Sequence, residues 1–266
     1  MLYNPFNSRN RLIASTDVQA ILQKHNCGFT PVNIGLYQTA MVHSSYVKRK
    51  EYVSPTGEII QLAPRPPNCL DLFDESYERL EHLGDTILGA SVSTYLMRRF
   101  PTEQEGFMTD LKKEIVCNET LGTLSAKMGL DKFYIISRHN EDACGGRANA
   151  KKLGDILEAF IGALWTDCGN DFKTTYKFVI SLVEQYIDIP KILLNNRNFK
   201  EQFQRFCQAT FQCTPTYVIQ SSTDGIYTMV AVDPKGKRMG VGTSPIKKQA
   251  EQLAAKDALS KLSLSS

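Results

Sequence analysis

The sequence predicts an all-α domain over residues 1–190 followed by a small α+β domain over residues 197–266. Three observations carry that expectation. Apolar residues recur at helical spacing through most of the first domain, whereas the last stretch reads α-β-β-β-α with β-branched and aromatic strands. Charge divides at the same boundary. From residue 197 onward there are ten Lys/Arg against five Asp/Glu, a net +5, which leaves −2 for the rest of a chain whose total is +3. A basic module joined to a slightly acidic one is the asymmetry expected of an appended nucleic-acid binder.

The composition is that of a globular protein, with 42% hydrophobic and 22% charged residues in 266. No apolar run approaches the length of a membrane helix, and residues 1–11 lack the apolar core of a signal peptide. The seven cysteines are scattered, odd in number and without a C-x-x-C pair. That spacing argues against zinc and disulfide frameworks and for reduced thiols in an intracellular, cytoplasmic protein.

Helices are expected over residues 17–25 and 36–48. Residues 49–74 hold five of the prolines and glycines of this region and read as a surface insertion, with a short strand over 58–62. A long helix over 75–100 ends at Pro101. Helical pattern returns from 109 to 128, with Gly129 as its stop. Residues 139–148 read as a glycine-rich loop, 151–167 and 172–187 as helices, and 190–198 as a linker. In the second domain a helix over 199–211 precedes strands at 215–220, 227–233 and 237–242, then a helix over 245–262.

Two acidic faces stand out. At 100° per residue, Glu78, Glu81 and Asp85 fall within an arc of ~60°, with Leu80, Leu83 and Ile87 on the opposite side. Asp155 and Glu158 repeat the arrangement opposite Leu153, Leu157, Phe160 and Leu164. Gly84 and Gly154, beside the acids, allow close approach of another backbone. Spacing alone leaves two readings open: solvated amphipathic faces, or an oxygen-lined site suited to Mg²⁺.

The segment ERLEHLGDTIL at 78–88 closely resembles the ERLEFLGDxxL motif of the ribonuclease III family. The resemblance extends to His43-Ser44-Ser45, like the family's T-H-x-S, and to FPTEQEG at 100–106. It continues through NETLGTLSAKMGL at 118–130 and LGDILEAFIG at 153–162. These blocks follow the family's order and are spread across residues 36–187. The resemblance implies a double-stranded RNA endonuclease using Mg²⁺, with Mn²⁺ as a substitute, held by Glu81, Asp85, Asp155 and Glu158. Glu78 and Glu105 match outer acids, and Lys151 is similar to a lysine near the scissile phosphate in Dicer-like members. It further implies hydrolysis by metal-activated water and 5′-phosphate and 3′-hydroxyl ends. A homodimer would cut opposite strands to leave a short 3′ overhang. In that scheme His43, His82 and His139 are structural. Two departures bear on the expectation: His82 replaces an aromatic residue that fits a socket on the partner subunit, and about thirty residues separate the T-H-x-S segment from ERLE.

Lys247–Leu259, KKQAEQLAAKDAL, resembles the last helix of a double-stranded RNA-binding domain, which implies that Lys247 and Lys248 reach phosphates at the helix N-terminus. Gln204 on the first helix is the further RNA-binding candidate. Ser244 and Pro245 are placed as N-cap and first helical residue. The loop 221–225 lacks the family's G-P-x-H element, and Arg205 follows Gln204 where the family often has glutamate, which implies altered RNA contact or a protein-binding role. The whole thus reads as one all-α ribonuclease III domain plus one C-terminal α+β RNA-binding domain. A catalytically silent relative or a duplex-sequestering binder is the competing class, and retention of every expected carboxylate favours the enzyme.

Overall fold

The computed structural model describes residues 2–53, 57–194, 199–223, 225–233 and 235–263. Pro55 of the insertion, part of the expected linker (195–198), Asp224 of the expected loop and both chain ends lie outside them. The chain divides into two compact units, Met1–Ile189 and Pro190–Ser266.

The first unit begins with a short strand β1 (Leu2–Tyr3), then α1 (Ser15–Lys24) and α2 (Ile34–Ala40). The helix expected over 36–48 stops at Ala40. Val42 instead bridges Ile135 in parallel, and Ser44–Tyr46 forms a single 3₁₀ turn. The cause is tertiary: His43 N donates to the Ile135 carbonyl and Ile135 N to the Met41 carbonyl, backbone bonds a continuing helix would have consumed.

The insertion is more ordered than a surface loop. Its strands β2 (Tyr52–Val53) and β3 (Ile59–Leu62) pair antiparallel, and β3 also takes β1 in parallel, giving the order β1-β3-β2. Tyr3 and Tyr52 stack across that sheet with ring centroids 4.7 Å apart. The returning arm buries Cys69 and Leu72 against Phe6, Val42, Tyr46 and Ile135.

Beyond it run α3 (Glu78–Arg99), α4 (Glu105–Ile115) and α5 (Asn118–Met128). Helix α4 starts earlier than its apolar pattern suggested. Gly129 ends α5 at φ +77°, the left-handed cap its lack of Cβ permits. Helix α6 (Arg138–Ala143) and a 3₁₀ turn (Gly146–Ala148) occupy what reads in sequence as loop. Ser137 caps α6 by accepting from Asn140 N, and Arg147 locks the segment. Its guanidinium spans Glu141, the carbonyls of Asp131 and Tyr134, and Asn10.

Helix α7 (Ala150–Asp167) is the centre of the unit. Its residues from Leu153 to Leu164 are buried except Glu158, which is half-buried. It packs on α2, α3, α5 and α8 (Phe172–Tyr186), and α9 (Ile189–Leu194) occupies the expected linker. No helix among the described residues is long and apolar enough to cross a membrane.

The second unit holds α10 (Phe199–Phe211), the antiparallel sheet β4 (Thr216–Thr223), β5 (Ile226–Val232) and β6 (Arg238–Ser244), and α11 (Lys247–Ser263). Its core is Phe203, Cys207, Met229 and Ala231 under Ala250, Ala254, Ala255 and Ala258. Two expectations are corrected here. Ser221–Thr223 continue β4, paired with Ile226–Thr228, so these three residues are strand and not loop. Helix α11 begins at Lys247, because Ser244 ends β6 and Pro245 lies in the connection; the Ser244 hydroxyl accepts instead from Ile246 N.

Candidate metal centre

The site forms where α3 crosses α7. A Cβ placed on Gly84 would overlap the Glu158 carbonyl, and one on Gly162 would overlap the Leu80 carbonyl. The two glycines therefore let the helices touch backbone to backbone, which brings the acids of one within reach of the other. Gly154 serves a different contact, since a Cβ there would lie 3.3 Å from Leu121 Cβ of α5.

Carboxylate oxygens of Glu81, Asp155 and Glu158 lie within 4.8 Å of one another. This corrects the wheel drawn from sequence. The buried residues of α3 are Gly84, Ile87, Leu88, Ser91, Val92, Tyr95 and Leu96, so Ile87 is buried as expected, while Leu80 and Leu83 are only half-buried. On α7 the acids lie within a helix buried nearly all round, and Asp155 is 5% exposed. Helix packing turns Glu81, Asp155 and Glu158 inward toward one another, while Glu78 and Asp85 of the same α3 face stay exposed.

The electrostatics follow from that crowding. Burial, then the charges of Asp85, Glu81 and Asp155, push the Glu158 carboxyl up to about 8. Burial and the charge of Asp155 also raise Glu81, and Lys152 and Lys151 pull it back. Asp155 differs. Tyr77, 1% exposed, donates its hydroxyl to Asp155 Oδ2 at 3.0 Å. Lys152 Nζ reaches the same oxygen at 3.2 Å and the Tyr77 hydroxyl at 3.1 Å.

The remaining candidates are placed around this group. Asp85 is exposed on α3, and after burial its charge acts most strongly on Glu158. Glu78, exposed in the first turn of α3, acts through its charge on Glu81 and His43. Lys151 is exposed at the start of α7. Glu105 opens α4, where its carboxylate accepts from the Thr109 hydroxyl at 2.7 Å, outside the group of three. His43 Nδ1 accepts from Ser45 N at 3.1 Å, and its ring lies 6.0 Å from that of Tyr77. His82 and His139 are exposed.

Sequence reasoning missed Tyr77 and Lys152. Lys152 carries a usable signal, since residues at i and i+3 share a helix face and it stands three before Asp155. Tyr77 has none, because its hydroxyl meets Asp155 only through the α3–α7 crossing.

In the second unit Lys247, Lys248 and Gln204 are all exposed, on α11 and α10. Arg205 is engaged by Glu201 at 2.5 Å.

The donor set suits a hard divalent cation. Three carboxylates offer only oxygen, and burial together with the neighbouring acid charges raises Glu158, an environment that a bound cation would relieve.

The ribonuclease III domain family matches residues 78–169, and the double-stranded RNA binding motif matches 199–262. A probable ribonuclease 3 of Acanthamoeba polyphaga mimivirus is 29% identical over 94% of this chain, which spans 46% of that relative's length. Ribonuclease 3 of Staphylococcus aureus is 32% identical over 88% of each chain. Among solved structures, the nuclease domain of a ribonuclease III from Campylobacter jejuni is 24% identical. It covers 64% of this chain and 98% of its own, with a TM-score of 0.49.

Proposed function

The chain belongs to the ribonuclease III family, and from that premise we propose that it hydrolyses double-stranded RNA with a divalent metal held by Glu81, Asp85, Asp155 and Glu158. The observation that carries the reading is the convergence of Glu81, Asp155 and Glu158 within 4.8 Å across a glycine-spaced helix crossing. Mg²⁺ is the proposed ion, with Mn²⁺ as a substitute, because both favour carboxylate and water ligands. When bound, such an ion supplies an activated water and neutralises charge building on the phosphate.

The chain's own residues supply the rest. Glu81, Asp155 and Glu158 hold the ion from two helices, and Asp85 closes the group beside Glu158. Glu78 and Glu105 are assigned to the outer rim, and Lys151 to the scissile phosphate, its exposed ammonium free to face RNA. Lys247, Lys248 and Gln204 hold the duplex through phosphate and groove contacts, reading A-form shape and not sequence. The protein is proposed to act in the cytoplasm, where its seven free thiols stay reduced.

The half-buried Leu80 and Leu83, with exposed His82 between them, favour a homodimer through this face of α3. Two sites then cut opposite strands and leave 5′-phosphate and 3′-hydroxyl ends with short 3′ overhangs. Incubation of duplex RNA with the protein, Mg²⁺ and end-specific sequencing tests the whole reading. Mg²⁺-dependent cuts with those ends are expected, and absence of cleavage with both Mg²⁺ and Mn²⁺ overturns it. Light scattering that finds only active monomer removes the dimer.

A further inference from the structure

Lys152 sits in the first turn of α7, where a positive charge opposes the helix dipole. Helix stability therefore does not account for it. Its backbone is fixed by the cap, since Asn149 Oδ1 accepts from Lys152 N at 3.1 Å. Its side chain, 35% exposed, folds back so that Nζ lies 5.8 Å from the Tyr77 ring centre and bonds both the Tyr77 hydroxyl and Asp155 Oδ2. Tyr77 is itself buried, and its backbone N–H donates to the Val42 carbonyl at 2.8 Å. One oxygen of Asp155 is thus taken by two donors, which fixes the carboxylate's rotation. Glu158, one turn along the same helix, lies beside the acids Glu81 and Asp155.

We propose that Lys152 is a built-in counter-cation of the acid cluster, orienting Asp155 together with Tyr77 and limiting how tightly the cluster binds its metal. This rests on the metal-site reading above. Without metal, the ammonium offsets repulsion among Glu81, Asp155 and Glu158 and compensates an almost fully buried carboxylate. With metal, the same ammonium repels the incoming cation. Lys152 is a positioning residue, not one that touches the reacting atoms, and Tyr77 holds it in place.

The test uses the full chain and Mn²⁺ alone, with binding followed by calorimetry and unfolding followed with and without metal. Removing one unit charge near a divalent ion, even at a water-like dielectric, corresponds to roughly tenfold in affinity. Lys152→Gln is expected to bind Mn²⁺ several-fold tighter, to unfold at lower temperature than wild type in EDTA, and to regain wild-type stability at saturating Mn²⁺. Lys152→Arg is expected to restore the wild-type affinity. Tyr77→Phe, which keeps the charge and loses the hydroxyl, is expected to weaken Mn²⁺ binding. Should the glutamine variant be insoluble, Lys152→Met is read the same way. Unchanged or weaker Mn²⁺ binding in Lys152→Gln overturns the inference, as does a stability deficit that persists under saturating metal. If wild type shows no Mn²⁺ binding that Glu158→Gln removes, the metal-site reading falls, and this inference with it.

Discussion

In the N-terminal unit, Gly84 and Gly162 let α3 and α7 touch through their backbones. In the C-terminal unit, Gly240 and Gly242 of β6 do the same for α11, since Cβ atoms there would overlap the carbonyls of Ala254 and Ala250. The packing device is shared and its electrical result is opposite. Across the first contact it gathers carboxylates inward, raising Glu158 to about 8. Across the second it lays an alanine face on the sheet and leaves Lys247 and Lys248 outward. The comparison teaches that close approach is general, while function depends on which residues flank the glycines.

The strongest way to break the comparison is to remove one acid without touching the packing. Glu158→Gln is nearly isosteric, so the helix crossing survives. Cleavage with Mg²⁺ should fall to background while duplex RNA binding, measured by fluorescence anisotropy, stays at the wild-type level. Retained cleavage would show that the inward acids are not the metal site.

Next come the glycines themselves. Gly84→Ala and Gly242→Ala each force a methyl into backbone, which costs roughly 1–3 kcal/mol or more by the usual penalty for overpacking. Gly84→Ala should depress cleavage far more than RNA binding, and Gly242→Ala the reverse. Assayed side by side with thermal unfolding, equal losses in both activities from either variant would mean that the two contacts are not independent devices.

A smaller effect is expected at the outward charges. Replacing Lys247 and Lys248 by alanine should weaken binding to all duplex sequences alike and flatten the salt dependence by about one unit of slope per lysine. An unchanged slope would favour a protein-binding role for the second unit.

How legible this was in the sequence differs between the units. Helix α10 coincides with its predicted span because its apolar spacing is undisturbed and sets one face, with Phe203 and Cys207, against the core. The acids Glu81, Asp85, Asp155 and Glu158 were readable as residues, from their blocks, but their environment was not. A helical wheel assumes one buried face, and α7 is buried nearly all round, so the wheel placed its acids toward water. The segment after Ala40 defeated local reading for another reason: its backbone bonds go to Ile135, almost a hundred residues away, and no periodicity encodes that. Lys152 was visible three residues before Asp155, yet Tyr77, which gives the pair its meaning, is joined to it only by the fold.

The smallest and most diagnostic effect concerns pH. Glu158 has an ordinary carboxyl value of 4.5 when unfolded and about 8 in the fold, raised by burial and by Asp85, Glu81 and Asp155. The folded state therefore holds this proton more tightly. Its contribution to stability is fully present below about 4.5 and is lost as pH rises through about 8. In EDTA the wild-type protein should lose stability between pH 6 and pH 8.5, at roughly 2–4 °C of Tm per kcal/mol for a unit of this size. Glu158→Gln has no such proton to lose, so its profile over that window should be flatter and its Tm at pH 8.5 higher than wild type. Saturating Mg²⁺ should flatten the wild-type profile as well, because a bound cation takes over the proton's role of compensating charge. Parallel profiles for the two proteins in EDTA would mean that Glu158 is solvated and ordinary. The inward-facing half of the comparison would then fail, while the outward-facing lysines of α11 would stand unaffected.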